Sequence, residues 1–413
     1  MFTWYKELGP KEKNTFVASF AGWALDALDF MVFTFVISTL ITLWHIDKGQ
    51  AGMLGTITLL FSALGGWIAG MLADRFGRVK VLQGTILWFA VFTFLIGFAQ
   101  NFEQVFVLRA LQGLGFGGEW AVGSVLMGEI IRSEYRGRAV GTVQSGWAIG
   151  WGLAAIAYTV MFSLLPEELA WRSLFWIGIL PALLVFFVRK HVPEPDVYQQ
   201  TKAMISKGEK HASLLEIFSP SLLKTTMFAA LLCTGMQGGY YAITTWLPTF
   251  LKLERHLSVL NTGLYLFVII SGSFIGYLVG AFVADRYGRK FNLILFALLS
   301  GISVYAYTQF DITNSQMLVL GFPLGFSASG IFSGIGAYLT ELFPSRVRAA
   351  GQGFAYNFGR GIGALFPTFV GYLSKTVALG DAITIFAGSA YVVVFIAIVF
   401  LPETKGKTLQ AFD

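Results

Sequence analysis

The feature that most constrains this chain is a succession of apolar blocks, each roughly 20 to 30 residues long, divided by short polar breaks from residue 15 to residue 401. A helix rising 1.5 Å per residue needs about 20 residues to cross a hydrocarbon core of about 30 Å. Twelve such blocks are legible, at 15–43, 50–73, 80–99, 103–128, 139–165, 172–190, 222–251, 259–284, 291–310, 315–341, 349–374 and 380–401. Lipid offers no partner to a free backbone N–H or C=O, so these blocks are predicted to be helices. Composition agrees: 55% of residues are hydrophobic and 13% charged, against about 25% charged in a soluble domain. The first block carries no A-x-A-type cleavage site and is expected to be a retained span, not a signal peptide.

An even number of spans puts both termini on one side. If that side is the cytoplasm, then of the 29 Lys and Arg only Lys48, Arg109, Arg172, Lys252, Arg255, Arg360 and Lys375 fall elsewhere, a strong positive-inside bias. The net charge of +6 therefore reports topology and does not point to a nucleic-acid partner. Residues 191–221 stand apart in composition, with Pro193, Pro195, Lys202, Lys207, Glu209, Lys210 and His211. They are read as a cytoplasmic linker between two six-helix bundles, 1–190 and 222–413. The two halves echo each other. Ala73-Asp74-Arg75-Phe76-Gly77-Arg78 after the second block returns as Ala284-Asp285-Arg286-Tyr287-Gly288-Arg289 after the eighth, and Arg136-Gly137-Arg138 returns as Arg346-Val347-Arg348. Internal repeats with a site between them are a transporter pattern.

The stretch Gly70-x-x-x-Asp74-Arg75-x-Gly77-Arg78-x-Lys80 resembles the loop signature of the major facilitator superfamily, and the resemblance extends over the whole chain. It implies an all-α membrane protein of twelve transmembrane helices built from inverted repeats, with both termini cytoplasmic. It also implies a gating role for Gly70, Asp74, Arg75, Gly77 and Arg78, with Asp74 pairing an arginine such as Arg138, and for Asp285, Arg286 and Arg289 in the second copy. That copy departs from the pattern by carrying Ala281 where the first has Gly70. Gly22-Trp23-Ala24-Leu25-Asp26-Ala27-Leu28-Asp29-Phe30 and Arg109-x-x-x-Gly113-x-Gly115-x-Gly117-Gly118-Glu119 are similar to the metabolite:proton symporter branches for sialic acid and lactate, with niacin and aromatic-acid carriers close. The closing Pro402-Glu403-Thr404-Lys405-Gly406 is similar to sugar and organic-ion porters. No proline lies in 141–155, so the motif of drug antiporters is missing. The glycines of 113–118 have no strand before them and are read as close helix packing, not a dinucleotide loop.

Loops aside, the charges left inside spans are Asp26, Asp29, Arg109, Glu119 and Arg360. Each costs roughly 3 kcal/mol at the bilayer centre unless it finds a partner or a wet cavity. Asp26 and Asp29 share a helix face at about mid-membrane, and Arg360 reaches a similar depth from the other half by the same rise per residue. The arrangement suits an anionic substrate carried with protons. Arg360 would hold a carboxylate, while Asp26, Asp29 and Glu119 would take protons outside and release them inside, with Arg109 as a charge partner. Gln144, Trp147, Trp151, Gln237, Tyr240, Tyr241, Trp246, Tyr356 and Asn357 are expected to shape the cavity. The function expected is import of a small organic carboxylate with protons by a monomeric carrier in the inner membrane. The alternatives are a uniporter or anion exchanger for an organic acid, or a carrier of a neutral metabolite such as a sugar. No nucleophile, metal or cofactor constellation is present, so an enzyme is not expected. Cys233 lies in an apolar block and is read as a packing residue.

Overall fold

The computed structural model describes residues 3–130, 136–194, 214–343 and 348–405. Nearly all of them are helical. After a short turn of helix at Thr3–Glu7 come α1 (Pro10–Trp44), α2 (Lys48–Phe76), α3 (Arg78–Ile96) and α4 (Phe102–Ile130). Next are α5 in two pieces (Arg136–Gln144 and Gly146–Leu164) and α6 in two (Glu167–Ile177 and Pro181–His191). A 3-10 turn at Leu214–Phe218 leads into α7 (Leu223–Leu253), α8 (Val259–Tyr287) and α9 (Arg289–Gln309). The last elements are α10 (Asn314–Gly330, continued by a 3-10 turn at Ile331–Ser333 and by Ile335–Leu342), α11 (Arg348–Gly363 and Leu365–Leu373) and α12 (Leu379–Phe400). Each apolar block is therefore helical. Four of them, expected to be continuous, are broken, near Ser145, Gly178–Leu180, Ile331–Gly334 and Ala364.

Nine helices among the described residues are long and apolar enough to cross a membrane. α4, α7 and α11 are not among the nine, and they are the helices that carry Arg109 and Glu119, Gln237, and Arg360.

The connections gather at two ends of the bundle. At one end Asn14 Nδ2 donates to the His191 carbonyl, and Lys405 Nζ to that of Arg286. This is the end rich in Lys and Arg, called here the basic face. At the other, Arg172 donates to the carbonyls of Gly97 and Ala99, and Arg255 to that of Ile312. Within the first six helices α2 packs on α4 and α1 on α5; within the last six α8 packs on α10 and α7 on α12. The two sets meet where α2 lies against α11, α5 against α8, and α1 against α7. Small residues set the closest approaches: a Cβ on Gly117 of α4 would collide with the Ser62 carbonyl of α2, and one on Gly325 of α10 with the Ile269 carbonyl of α8. The 113–118 glycines thus pack one helix against another, as small residues do in lipid.

Candidate functional site

α1 runs through the middle of the molecule, with all residues from Gly22 to Leu40 except Leu25 buried. That burial brings Asp26 into the centre at 0% exposure. Around it stand Glu119 of α4, 5% exposed, and Arg360 of α11, 1% exposed. Both act electrostatically on the Asp26 carboxyl. Gly22 makes this possible: the Glu119 carboxylate lies where a Cβ on Gly22 would be, so α4 can hand its acid directly to α1. The Asp26 and Glu119 carboxyls face each other as hydrogen-bonding partners once one is protonated; beyond that pair no donor reaches either Asp26 oxygen or Glu119 Oε2, and no acceptor reaches Arg360 Nε or Nη1, among the described residues. Buried polar atoms are ordinarily paired, so a cluster of orphaned ones at the centre of the bundle is a candidate binding site.

Aromatic rings wall the cluster. Trp23 packs 4.3 Å from Trp120 and 4.9 Å from Trp147, centroid to centroid. Phe30 lies 5.5 Å from Phe116 and 6.1 Å from Tyr241. The guanidinium carbon of Arg360 stands 5.1 Å from the Tyr356 ring and 5.3 Å from that of Phe116, and the Tyr241 and Tyr356 hydroxyls are beside it. Trp147 Nε1 donates to Tyr240 Oη at 2.7 Å, which ties the two halves together across the site. Gln237 Nε2 donates to the Tyr356 carbonyl at 2.9 Å and its oxygen accepts from Tyr241, fixing α7 to α11 behind the arginine.

Of the residues singled out from sequence, Asp26, Glu119, Arg360, Trp147, Gln237, Tyr240, Tyr241 and Tyr356 are thus brought together. Others lie elsewhere. The Asp29 carboxyl turns toward Thr93 of α3. Arg109 donates to the Leu54 carbonyl and to Gln112 Oε1, stacking 3.9 Å over Phe33, while Gln112 donates to Thr93 at 2.7 Å. Arg109 is therefore tied to Thr93 through Gln112, while both Asp29 oxygens are without a hydrogen-bond partner among the described residues. Asn357 donates to Gly353 and sets its oxygen against Gly66 of α2, on the face of α11 that packs on α2. Trp151 lines a separate void of about 190 Å³ beside Tyr240, Gln144 is buried at the break in α5, and Trp246 Nε1 donates to Pro367. Sequence reading missed Trp23, Phe30, Phe116, Trp120 and Gly22. Four of these sit three or four residues from Asp26 or Glu119, so the side-chain spacing of a helix would have found them.

On the basic face the repeated turns are capped alike. Gly77 and Gly288 have φ of 109° and 118°, which favours glycine. The Glu194 carboxylate accepts from the N–H groups of Arg78 and Val79, and that of Glu403 from those of Arg289 and Lys290. Arg78 Nη1 and Arg289 Nη1 donate to the carbonyls of Ala73 and Ala284, and Arg289 pairs with Glu341 at 2.9 Å. Arg286 is exposed. A Cβ on Gly70 would meet nothing within 4 Å, so its surroundings do not demand glycine. The side chains of Asp74, Arg75, Arg138 and Asp285, with the expected Asp74–Arg138 pair, lie outside the described residues.

A family model described as Major Facilitator Superfamily matches residues 19–283 and 266–411. A protein of Cupriavidus pinatubonensis (strain JMP 134 / LMG 1197) described as a probable 4-methylmuconolactone transporter is 42% identical over 410 residues, covering 99% of this chain and 95% of that one. A cis,cis-muconate transport protein of Acinetobacter baylyi (strain ATCC 33305 / BD413 / ADP1) is 29% identical, covering 97% and 96%. Among solved structures, the proton:xylose symporter XylE bound to 6-bromo-6-deoxy-D-glucose is similar with a TM-score of 0.77 and 18% identity, covering 97% of this chain and 98% of that one. At that identity the likeness is one of fold.

Proposed function

The chain belongs to the Major Facilitator Superfamily as a multi-pass membrane transporter, and we propose that it imports a small organic carboxylate together with protons across the inner membrane. Arg360 holds the carboxylate, Asp26 and Glu119 carry the protons, and residues 1–190 rock against 222–413 to expose the site to each side in turn. The observation that carries this reading is the placement of Arg360, with Nε and Nη1 unpartnered, opposite two acids of the other half inside one aromatic wall. A guanidinium presents two parallel donors to a carboxylate and keeps its charge where a lysine would not. Two acids in contact resist carrying two charges at once, so a proton that moves between them is coupled to the charge beside them. The relatives described as carriers of muconate and a muconolactone support an acidic substrate of this size.

The test is a thermal-shift screen of the purified protein against benzoate, nicotinate, cis,cis-muconate and lactate, because a ligand stabilises in proportion to its occupancy. At least one acid raises the melting temperature, and Arg360→Ala abolishes that shift. Adding the same acid to lightly buffered proteoliposomes alkalinises the outside; uptake with no pH change would leave a uniporter or an exchanger. A shift that survives in R360A would remove Arg360 from the substrate site.

A further inference from the structure

We infer that a cleft inside the first six helices, between α1, α3, α4 and α5, is the water path by which the coupling proton leaves Glu119 for the cytoplasm. The inference rests on the proton-coupled reading above and gives the proton and the substrate different exits. The cleft holds about 410 Å³ of atom-free space, part of it open to solvent, and is lined by Ser19, Trp23, Leu82, Glu119, Gly123 and Met127, among others. All of these belong to one half, whereas the Arg360 site lies between halves.

Three of the lining groups carry polar atoms with no hydrogen-bond partner among the described residues: Ser19 Oγ, Trp23 Nε1 and Glu119 Oε2. Trp23 is 7% and Glu119 5% exposed, so ordinary solvation does not account for them. A buried water needs about two to four polar partners, and these three groups supply them. Ser19, Trp23 and Asp26 follow one another at i, i+4 and i+7 on α1, so one stripe of that helix runs from the central acid down to the basic face. Glu119 closes the series: it interacts with Asp26 and lines the cleft. The charged groups facing this pair are Asp29 from α1 and Arg360 from α11. α3 contributes Leu82 and Ile86, α5 Val143, and α6 Leu184, all uncharged. The proton of the Asp26 carboxyl passes to the Glu119 carboxylate, and from Glu119 to a water in the cleft. The hydronium so formed leaves on the basic face, and the two carboxylates left behind are balanced by Arg360 once it has released the substrate.

Two measurements test this. Cys233, the only cysteine, is fully buried, so the parent chain is a blank for thiol labelling. S19C should react with a membrane-impermeant cationic methanethiosulfonate in inside-out vesicles and not in right-side-out ones, and adding G123L should slow the reaction at least ten-fold. A Cβ on Gly123 meets only Leu82 Cδ1 at 3.9 Å, so a leucine there extends into the cleft without a backbone collision. In proteoliposomes, with radiolabelled benzoate, nicotinate and cis,cis-muconate as probes, G123L should keep exchange at equal pH within two-fold of the parent. Net uptake driven by a pH gradient should fall at least ten-fold. S19C that stays unlabelled from the cytoplasmic side, or G123L that lowers exchange and net uptake alike or neither, overturns the inference. A parent protein that takes up the probes without alkalinisation removes the proton reading itself, and this role of the cleft with it; a coupled parent with unlabelled S19C removes the cleft alone.

Discussion

At the scale of single residues, the most informative side chains outside the centre are Glu194 and Glu403. Each follows a proline just beyond the sixth or twelfth apolar block, and each caps the start of a helix in its own half, α3 or α9. An anionic cap of this kind contributes about 0.5 to 2 kcal/mol. At Glu403 burial works to raise the carboxyl pKa, but the N–H groups of Lys405, Arg289, Lys290 and Thr404 outweigh it and hold the group below its ordinary 4.5. A depressed carboxyl stabilises the fold fully above its ordinary value and loses that contribution as the pH falls through the folded value. E403Q should therefore lower the melting temperature at neutral pH, with the gap to the parent constant down to about pH 4.5 and closing below. A gap that does not change with pH would show that the charge is not what Glu403 contributes. At Gly77 a Cβ would lie 2.5 Å from Glu194 Oε1, on a backbone with φ of 109°. G77A combines strain with loss of the cap and should be more destabilising than E194Q; equal melting temperatures would contradict this.

At the scale of helices, glycine marks where two backbones touch, and only the structure separates those positions from the rest. G117A should prevent a stable α2–α4 contact, because the new Cβ meets the Ser62 backbone and not a side chain that can turn away. G70A should be neutral, with open space around it. Comparing yield and melting temperature of the two variants decides the matter. The sequence places Gly117 in a run read as close helix packing, as found, but places Gly70 in the loop signature, and only the structure shows the open space around it. Two of the helix breaks have a local cause: Pro181 opens the second piece of α6, and Pro367 leaves the Gly363 carbonyl without an N–H just beyond the break at Ala364. Those near Ser145 and Ile331–Gly334 have no proline beside them and were not legible in the apolar pattern.

At the scale of the whole molecule, three polar contacts link the two halves at the end opposite the basic face, and under the alternating-access proposal they hold that end closed. Lys375, beyond α11, pairs with Asp47 at the start of α2 at 3.2 Å, and Lys252 of α7 with Glu167 of α6 at 3.6 Å. Thr56 of α2 donates to the Ala364 carbonyl of α11 at 2.5 Å. Exposed pairs contribute about 0.2 to 1 kcal/mol each. Removing both, in D47N/K252M, should raise the population open on that end by roughly two- to thirty-fold. Faster labelling of T56C from outside the cell in that background measures it, and an unchanged rate would assign the closure to helix packing alone.

The sequence by itself determined that the chain is a helical membrane protein with a repeated architecture, because block length and the positions of Lys and Arg are local properties of a string. It also picked out the costly buried charges, since an ionisable residue within an apolar block stands out whatever surrounds it. Only the tertiary structure decided which of these charges act together. Asp26 and Asp29 share one helical face on paper, yet Asp26 meets both Glu119 and Arg360 while Asp29, though it also feels Glu119, turns to Thr93, because α3, α4 and α11 press on α1 from different sides. Asn357 and Arg360, three residues apart, divide in the same way between α2 and the centre. Contacts between helices distant in sequence carry no local signature, and a site between two halves consists of such contacts.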